Sequence, residues 1–198
     1  RRPVRRGEGG GTLRLMGVHA IRPVVLDACV LVPQSLCDLL LRLAEDPRLY
    51  RPVWTDEILT EAHRALTQRL PKKWPVAAAD RWREAIGRAF PEACVTPAAE
   101  LIAKAGNHRG DRHVLAAAID AGAKDIVTFN LRHFRPEALA PWKIKAVSPD
   151  EFLLELYSLN PTKVRYKLAL MGRRDSEAKT LELLRKHAPG FVARFEGA

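Results

Sequence analysis

The chain has 198 residues, of which 47% are hydrophobic and 28% are charged, and its formal net charge is +10. This length and composition indicate one ordinary globular domain with some additional chain, and no apolar run is long enough to span a bilayer. The three cysteines show no C-x-x-C spacing and no zinc-ligand spacing with the six histidines, which argues against a disulfide framework and against zinc catalysis. We expect all three cysteines to be buried or half-buried thiols.

The positive charge is concentrated at the two ends of the chain. Residues 1–20 carry five Arg against one Glu, and residues 160–198 carry nine Lys or Arg against four acids. Residues 21–159 are nearly neutral, with 19 basic and 18 acidic side chains. Basic ends favour nucleic acid as a partner, although the same charge excess also serves solubility. We predict a cytoplasmic protein in which residues 1–20 form a flexible basic segment and the natural start lies near Met16.

Apolar runs alternate with amphipathic segments, which predicts an α/β fold with a central parallel sheet. Short β-branched and aliphatic runs predict strands at 24–26, 53–54, 126–129 and 144–147. Apolar residues at helical spacing, with capping residues and prolines at their ends, predict helices at 36–43, 55–70, 82–90, 96–106, 111–121 and 148–157. Thr96 and Pro97 are expected to cap and begin the fourth of these, and Gly122 to end the fifth in a left-handed conformation.

Beyond this α/β region two more helices are predicted. One begins at Asn160-Pro161 and reaches Gly172, and a second, basic helix covers about 176–187. We therefore divide the chain into the basic segment 1–20, an α/β domain at 21–158 and a basic helical extension at 159–198.

Two polar residues directly follow predicted strands. Asp27 comes after Val24-Val25-Leu26, and Asn130 comes after the run that ends at Phe129. In an open parallel sheet, ligands bind beyond the carboxyl ends of the strands, where both residues are expected to lie. Asp and Asn are also common turn residues, so for either residue alone the simpler interpretation that it only starts a turn stays open.

Two acidic residues belong to predicted helices. Glu61 shares a helix face with Ile58, Ala62 and Ala65, and an unpaired carboxylate on an apolar face is costly, so it needs either a metal ion or an arginine partner. Asp111 precedes the next helix, where an N-cap role is the simplest explanation. Carboxylates that converge with Asp27 repel one another unless a divalent cation neutralises them, and oxygen ligands select Mg²⁺ or Mn²⁺. Such ions support phosphodiester hydrolysis.

Three segments carry a resemblance to a known family: V-V-L-D-A-C-V-L-V-P, T-D-E-I-L-T-E-A-H-R-A-L and D-R-H-V-L-A-A-A-I-D-A-G-A-K-D-I-V-T-F-N-L-R-H-F. Together they resemble the PIN-domain ribonucleases, in particular the VapC-type toxins of type II toxin–antitoxin systems. The resemblance covers about 22–156, and the third segment is its most specific part. It implies a three-layer α/β/α fold, an acidic Mg²⁺ pocket, an RNA substrate, a cognate antitoxin, and a homodimer.

The resemblance carries the metal ligands over to Asp27, Glu61 and Asp111, and adds Asn130 at a position that is Asp in much of the family. His133 stands where similar sequences often have an acid, so it is a metal ligand, a phosphate contact or a surface residue. Thr128 is expected to orient a metal ligand without contacting the metal ion itself. We predict a metal-dependent endoribonuclease that uses Mg²⁺, with Mn²⁺ as a substitute, and whose C-terminal basic helices hold the RNA backbone.

Two other classes of function were weighed. A non-catalytic RNA- or DNA-binding module on the same fold accounts equally well for the +10 charge. A haloacid-dehalogenase-like phosphatase needs a second Asp two residues after the strand-end Asp, where this chain has Cys29, and a receiver domain needs additional acids near its first strand. The phosphatase and the receiver are therefore disfavoured.

Overall fold

In the computed structural model, residues 21–197 are described, except for the side chains of 173–175. The flexible N-terminal segment expected at 1–20 lies outside the described residues. The predicted α/β class is confirmed: four parallel strands form one sheet in the order β2-β1-β3-β4. Their bounds are Pro23–Leu26 (β1), Arg51–Val53 (β2), Asp125–Val127 (β3) and Lys145–Val147 (β4).

Helices connect and cover these strands. Their bounds are Ala28–Leu31 (α1), Gln34–Ala44 (α2), Asp56–Arg64 (α3), Val76–Ala89 (α4), Ala99–Lys104 (α5), Arg112–Asp120 (α6), Pro136–Leu139 (α7), Pro149–Leu159 (α8), Pro161–Asp175 (α9), Glu177–Arg185 (α10) and Pro189–Glu196 (α11). A π-helical turn, Ala65–Arg69, continues α3. The helix ends follow local chemistry: Thr55 caps α3, Ser148 and Glu151 form a capping box on α8, and Gly122 follows α6 at φ 64°.

The centre of the sheet is fully apolar, which explains the continuous hydrophobic runs. Val24, Val25 and Leu26 of β1 have no exposed surface, and β1 lies between β2 and β3. A strand covered on both faces has no solvent side for polar residues, so the polar residues of the sheet collect at its ends. This arrangement directs Asp27 and the residues after Val127 to the carboxyl edge.

Three local predictions were wrong. The strand expected at 126–129 ends at Val127, because the Thr128 hydroxyl accepts the backbone N–H of Asn130 at 2.9 Å and turns the chain. The helix expected to begin at Pro97 begins at Ala99, since Ala98 has an extended backbone with ψ 143°. Cys94 is exposed rather than buried, whereas Cys37 is buried and Cys29 is half-buried as expected.

The C-terminal helices pack into the same core as the sheet. Val164, Leu168 and Phe191 belong to the hydrophobic cluster that also contains β1. Sequence analysis missed α11, although Pro189 at its first turn and the apolar residues that follow are typical helix signals. Its position depends on Asp150 of α8, whose carboxylate accepts the backbone N–H groups of Gly190 and Phe191 at 3.0 and 2.7 Å. The division of the chain at 158/159 remains a prediction.

A second contact ties the extension to the rest of the chain. Lys167 of α9 has 2% of its surface exposed, and its Nζ donates to the carbonyls of Glu45 and Asp46 at 3.2 and 3.1 Å. Glu45 is the C-cap residue of α2 and Asp46 directly follows it, so neither carbonyl continues the helical hydrogen-bond pattern. Lys167 therefore acts as a C-terminal cap supplied from a distant helix.

Within residues 21–197, no helix combines the length and the apolar character needed to cross a membrane.

Candidate functional site

A cleft of about 480 Å³ opens at the carboxyl edge of the sheet. Asp27, Glu61, Asp111 and Asn130, the four residues singled out in the sequence, all line it. They come from the end of β1, from α3, from the start of α6 and from the turn after β3. The structure thus brings together residues that are up to 103 positions apart in the chain, and their roles in chemistry remain a proposal.

Asp27 is held at the floor of this cleft. Only 2% of its surface is exposed, and its Oδ2 accepts the Thr128 hydroxyl at 2.6 Å and the Cys29 thiol at 3.1 Å. Thr128 has no exposed surface, and its hydroxyl also accepts the N–H of Asn130. The hydroxyl thus accepts the N–H of Asn130 with one lone pair and donates its proton to the carboxylate oxygen of Asp27. Thr128 therefore donates a hydrogen bond to Asp27, and its expected role in orienting a metal ligand stays a prediction.

The surroundings of Cys29 disfavour its thiolate form. Burial, followed by the charge of Asp27, raises the pKa of its thiol to about 12. The sulfur accepts the N–H of Phe129 at 3.2 Å while the S–H points to Asp27. Since only a thiolate attacks effectively, this cysteine serves as a hydrogen-bond donor to the carboxylate.

Glu61 faces a buried histidine rather than the arginine partner that the sequence left open. His113 of α6 has a side chain that is 5% exposed; its Nε2 lies 3.8 Å from Glu61 Oε2, and its Nδ1 lies 3.8 Å from Glu57 Oε2. The Nε2 atom is buried without a hydrogen-bond partner. The imidazole therefore lies between two carboxylates and links α3 to α6, the helices that carry Glu61 and follow Asp111.

The pKa of Glu61 shows that the acids of the cleft interact. Burial raises this pKa most, His113 opposes the rise, and Asp27, Glu57 and Asp111 raise it further. Each nearby negative charge makes ionisation of Glu61 more difficult. A cation in the cleft would offset this repulsion and favour the ionised form of Glu61.

Asp111 occupies the N-cap position of α6, but its side chain does not cap the helix. Its Oδ2 instead lies 3.0 Å from Nδ1 of His108 and 3.0 Å from Nδ1 of His133. The two imidazole rings stack with centroids 4.4 Å apart. His133, for which the sequence left three roles open, is thus a direct neighbour of Asp111 with a quarter of its side chain exposed.

Sequence analysis missed two arginines that line the same cleft. Arg64 lies in α3, one turn after Glu61, and Arg69 ends the π-helical turn. The i, i+3 spacing of Glu61 and Arg64 was a usable signal. Arg69 was not predictable from a regular helical repeat, because a π-helical turn changes the angle between successive side chains. Both arginines are exposed, so they are accessible to an anionic ligand.

The donor atoms of the cleft suit a divalent cation. Three carboxylates and one amide provide oxygen ligands, which are the ligands that Mg²⁺ and Mn²⁺ prefer. Among residues 21–197, the hydrogen bonds to the Asp27 side chain all end on Oδ2, so Oδ1 is available to a cation. The negative charges that raise the pKa of Glu61 are those of Asp27, Glu57 and Asp111, and such an ion would neutralise them.

Comparison with known proteins gives one informative similarity. The chain is 40% identical over 102 residues to a protein of Mycobacterium tuberculosis (strain H37Rv) named "Putative ribonuclease VapC50". The similar region covers 48% of this chain and 59% of that protein, so the chain spans about three fifths of the relative's length. No family model matches the chain.

Proposed function

We propose that this protein is a metal-dependent endoribonuclease of the PIN-domain, VapC-like kind. The observation that carries the proposal is the convergence of Asp27, Glu61, Asp111 and Asn130 on one cleft that also exposes two arginines. The similarity to a protein named as a ribonuclease supports the choice of RNA as substrate. The acids supply sites for cations, and the arginines supply sites for phosphate.

In the proposed reaction, Asp27, Glu61 and Asp111 hold Mg²⁺, or Mn²⁺ as a substitute. A bound divalent ion lowers the pKa of water and stabilises negative charge on phosphoryl oxygens. Thr128 and Cys29 keep the Asp27 carboxylate in one orientation, because both donate to Oδ2. Arg64 and Arg69 bind the phosphates that flank the cleaved bond, since a guanidinium matches phosphate geometry. The Cys29 thiol donates to Asp27, and water is the proposed attacking group.

The first experiment is cleavage of a structured RNA by the purified chain with Mg²⁺, with Mn²⁺ and with EDTA. We expect cutting in either metal, none in EDTA, and a loss of at least about 100-fold in the Asp27→Asn variant. Asp120→Asn is the matched control, because Asp120 is an exposed acid at the far end of α6, the helix that Asp111 precedes. RNA binding without cutting in any metal would overturn the enzyme proposal in favour of a non-catalytic RNA-binding module.

The expected role of the C-terminal basic helices in holding RNA needs a test that, unlike truncation, leaves the core intact. Removing residues after Tyr157 would also remove Val164, Leu168 and Phe191 from the core, so loss of binding would not be informative. Replacing the exposed Lys186 and Arg194 by Gln leaves the core intact. Weaker RNA binding with a smaller salt dependence supports the role, and unchanged binding refutes it.

The resemblance to VapC-type toxins extends the proposal to a cognate antitoxin and to a homodimer. A toxin of this kind arrests growth when it is expressed alone, and we expect Asp27→Asn to abolish the arrest. Sedimentation equilibrium of the purified chain tests the dimer directly, because a monomer at all concentrations contradicts it. The cytoplasmic location expected from the sequence belongs to the same proposal.

A further inference from the structure

We propose a second cation site, specific for Zn²⁺ or a similar late transition metal, formed by His108, Asp111 and His133. The nearest ligand atoms of these three residues all lie within 4.8 Å of one another. Asp111 Oδ2 is 3.0 Å from each of the two Nδ1 atoms. The site shares Asp111 with the acidic cleft but takes its other ligands from His108, directly before the 109–111 turn, and from His133 in the turn after β3.

The contacts of His108 Nδ1 are compatible with a bound cation. This nitrogen lies 3.0 Å from Asp111 Oδ2, and the backbone N–H of Gly110 lies 3.3 Å from it. An imidazole nitrogen has a single lone pair, which either accepts one hydrogen bond or binds one cation. A cation held by His108 Nδ1 and Asp111 Oδ2 would therefore replace the long contact with Gly110.

The donor set distinguishes this site from the acidic cleft. Two imidazole nitrogens and one carboxylate oxygen suit Zn²⁺, whereas Mg²⁺ prefers oxygen ligands alone. Three protein ligands leave one position of a tetrahedral ion open. Solvent can reach that position, because His108 and His133 also line a neighbouring cavity of about 280 Å³.

Ring orientation decides what must move when the ion binds. The two imidazoles stack with 21° between their planes, and a metal ion lies in the plane of each ring that coordinates it. One ring must therefore turn. The His108 side chain is 59% exposed, whereas that of His133 is 25% exposed, so His108 is the ring with room to rotate.

Zinc at this site would compete for the Asp111 oxygen. If Asp111 also holds the Mg²⁺ of the proposed ribonuclease, Zn²⁺ inhibits cleavage by withdrawing one ligand. This consequence rests on the proposed function, whereas the Zn²⁺ site itself does not. The test is therefore made without RNA.

The experiment is isothermal titration of the EDTA-treated, dialysed chain with zinc chloride at neutral pH, followed by Co²⁺ as a spectroscopic probe of tetrahedral coordination. We expect one Zn²⁺ per chain, and binding weakened by at least about 100-fold in His108→Ala and in His133→Ala, since losing even an outer partner of a ligand costs about 10- to 100-fold. His63→Ala is the matched control, because His63 also pairs with an acid, Asp80, at 2.9 Å. Asp27→Asn removes a ligand of the acidic cleft and should leave Zn²⁺ binding unchanged.

Three results would overturn the site: no Zn²⁺ binding, binding that survives replacement of both histidines, or binding lost in Asp27→Asn but kept in the histidine variants. The last result would place the ion in the acidic cleft. Circular dichroism checks that each variant folds. If His133→Ala does not fold, His108→Ala decides the question alone, because its exposed side chain contributes little to packing.

Discussion

Replacing Thr128 by Val tests whether a buried hydroxyl orients the central acid of the cleft. Valine has nearly the same shape, but it cannot donate to Asp27 Oδ2 or accept the N–H of Asn130. The hydrogen bond to a carboxylate is worth about 1.5–3 kcal/mol and the second, neutral one about 1 kcal/mol. Because Thr128 has no exposed surface, water cannot replace either partner. We expect the free energy of unfolding to fall by about 2–4 kcal/mol.

The same change should weaken the binding of Mn²⁺ by about 10- to 100-fold, because Asp27 loses its orientation. Urea unfolding, followed through the fluorescence of the buried Trp54, measures the stability, and isothermal titration measures the metal affinity. Thr128→Ser is the matched control: it keeps the hydroxyl and loses one buried methyl, which costs about 1 kcal/mol. If the Val and Ser variants are equally stable and bind Mn²⁺ equally well, the hydroxyl does not orient Asp27 and our reasoning is wrong.

Three further predictions concern other contacts. His113→Leu removes the charge that opposes the raised pKa of Glu61, so this pKa should rise further. The proposed mechanism needs an ionised Glu61, so the acid limb of the pH–activity profile should move to higher pH, and an unmoved limb would mean that His113 does not act on Glu61. For binding to single-stranded RNA, Arg64→Gln and Arg69→Gln should each reduce the slope of the logarithm of the binding constant against the logarithm of salt concentration by about 0.7. An unchanged slope would exclude that arginine as a phosphate contact. Lys167→Met leaves the carbonyls of Glu45 and Asp46 without their donor and should lower the free energy of unfolding by about 1–3 kcal/mol. Urea unfolding measures this change, and an unchanged midpoint of the unfolding transition would show that water replaces the lysine as donor.

Interactions that are local in the chain were predictable from the sequence. The capping box of Ser148 and Glu151, the left-handed Gly122 and the strand end at Asp27 depend on residues within a few positions of one another. The choice of Asp27 and Asn130 required only the rule that polar residues after buried parallel strands lie at one edge. Glu61 followed from a carboxylate on an otherwise apolar helix face.

Contacts between distant parts of the chain were decided only by the tertiary structure. The partnership of His113 with Glu61 depends on how α6 packs near α3, and a histidine in an Ala-rich helix does not reveal its partner. Likewise, His108 and His133 meet at Asp111 although 25 positions separate them.

Backbone geometry and distant caps were also beyond the sequence patterns. Arg69 reaches the cleft through a π-helical turn that a regular periodicity cannot predict. The helix α11 is anchored by Asp150, some 40 residues away in the chain. Sequence patterns report on the local backbone and on which faces are apolar, and they therefore determined the fold class and the four candidate residues. The partners of those residues depend on packing distances and directions, which exist only once the chain has folded.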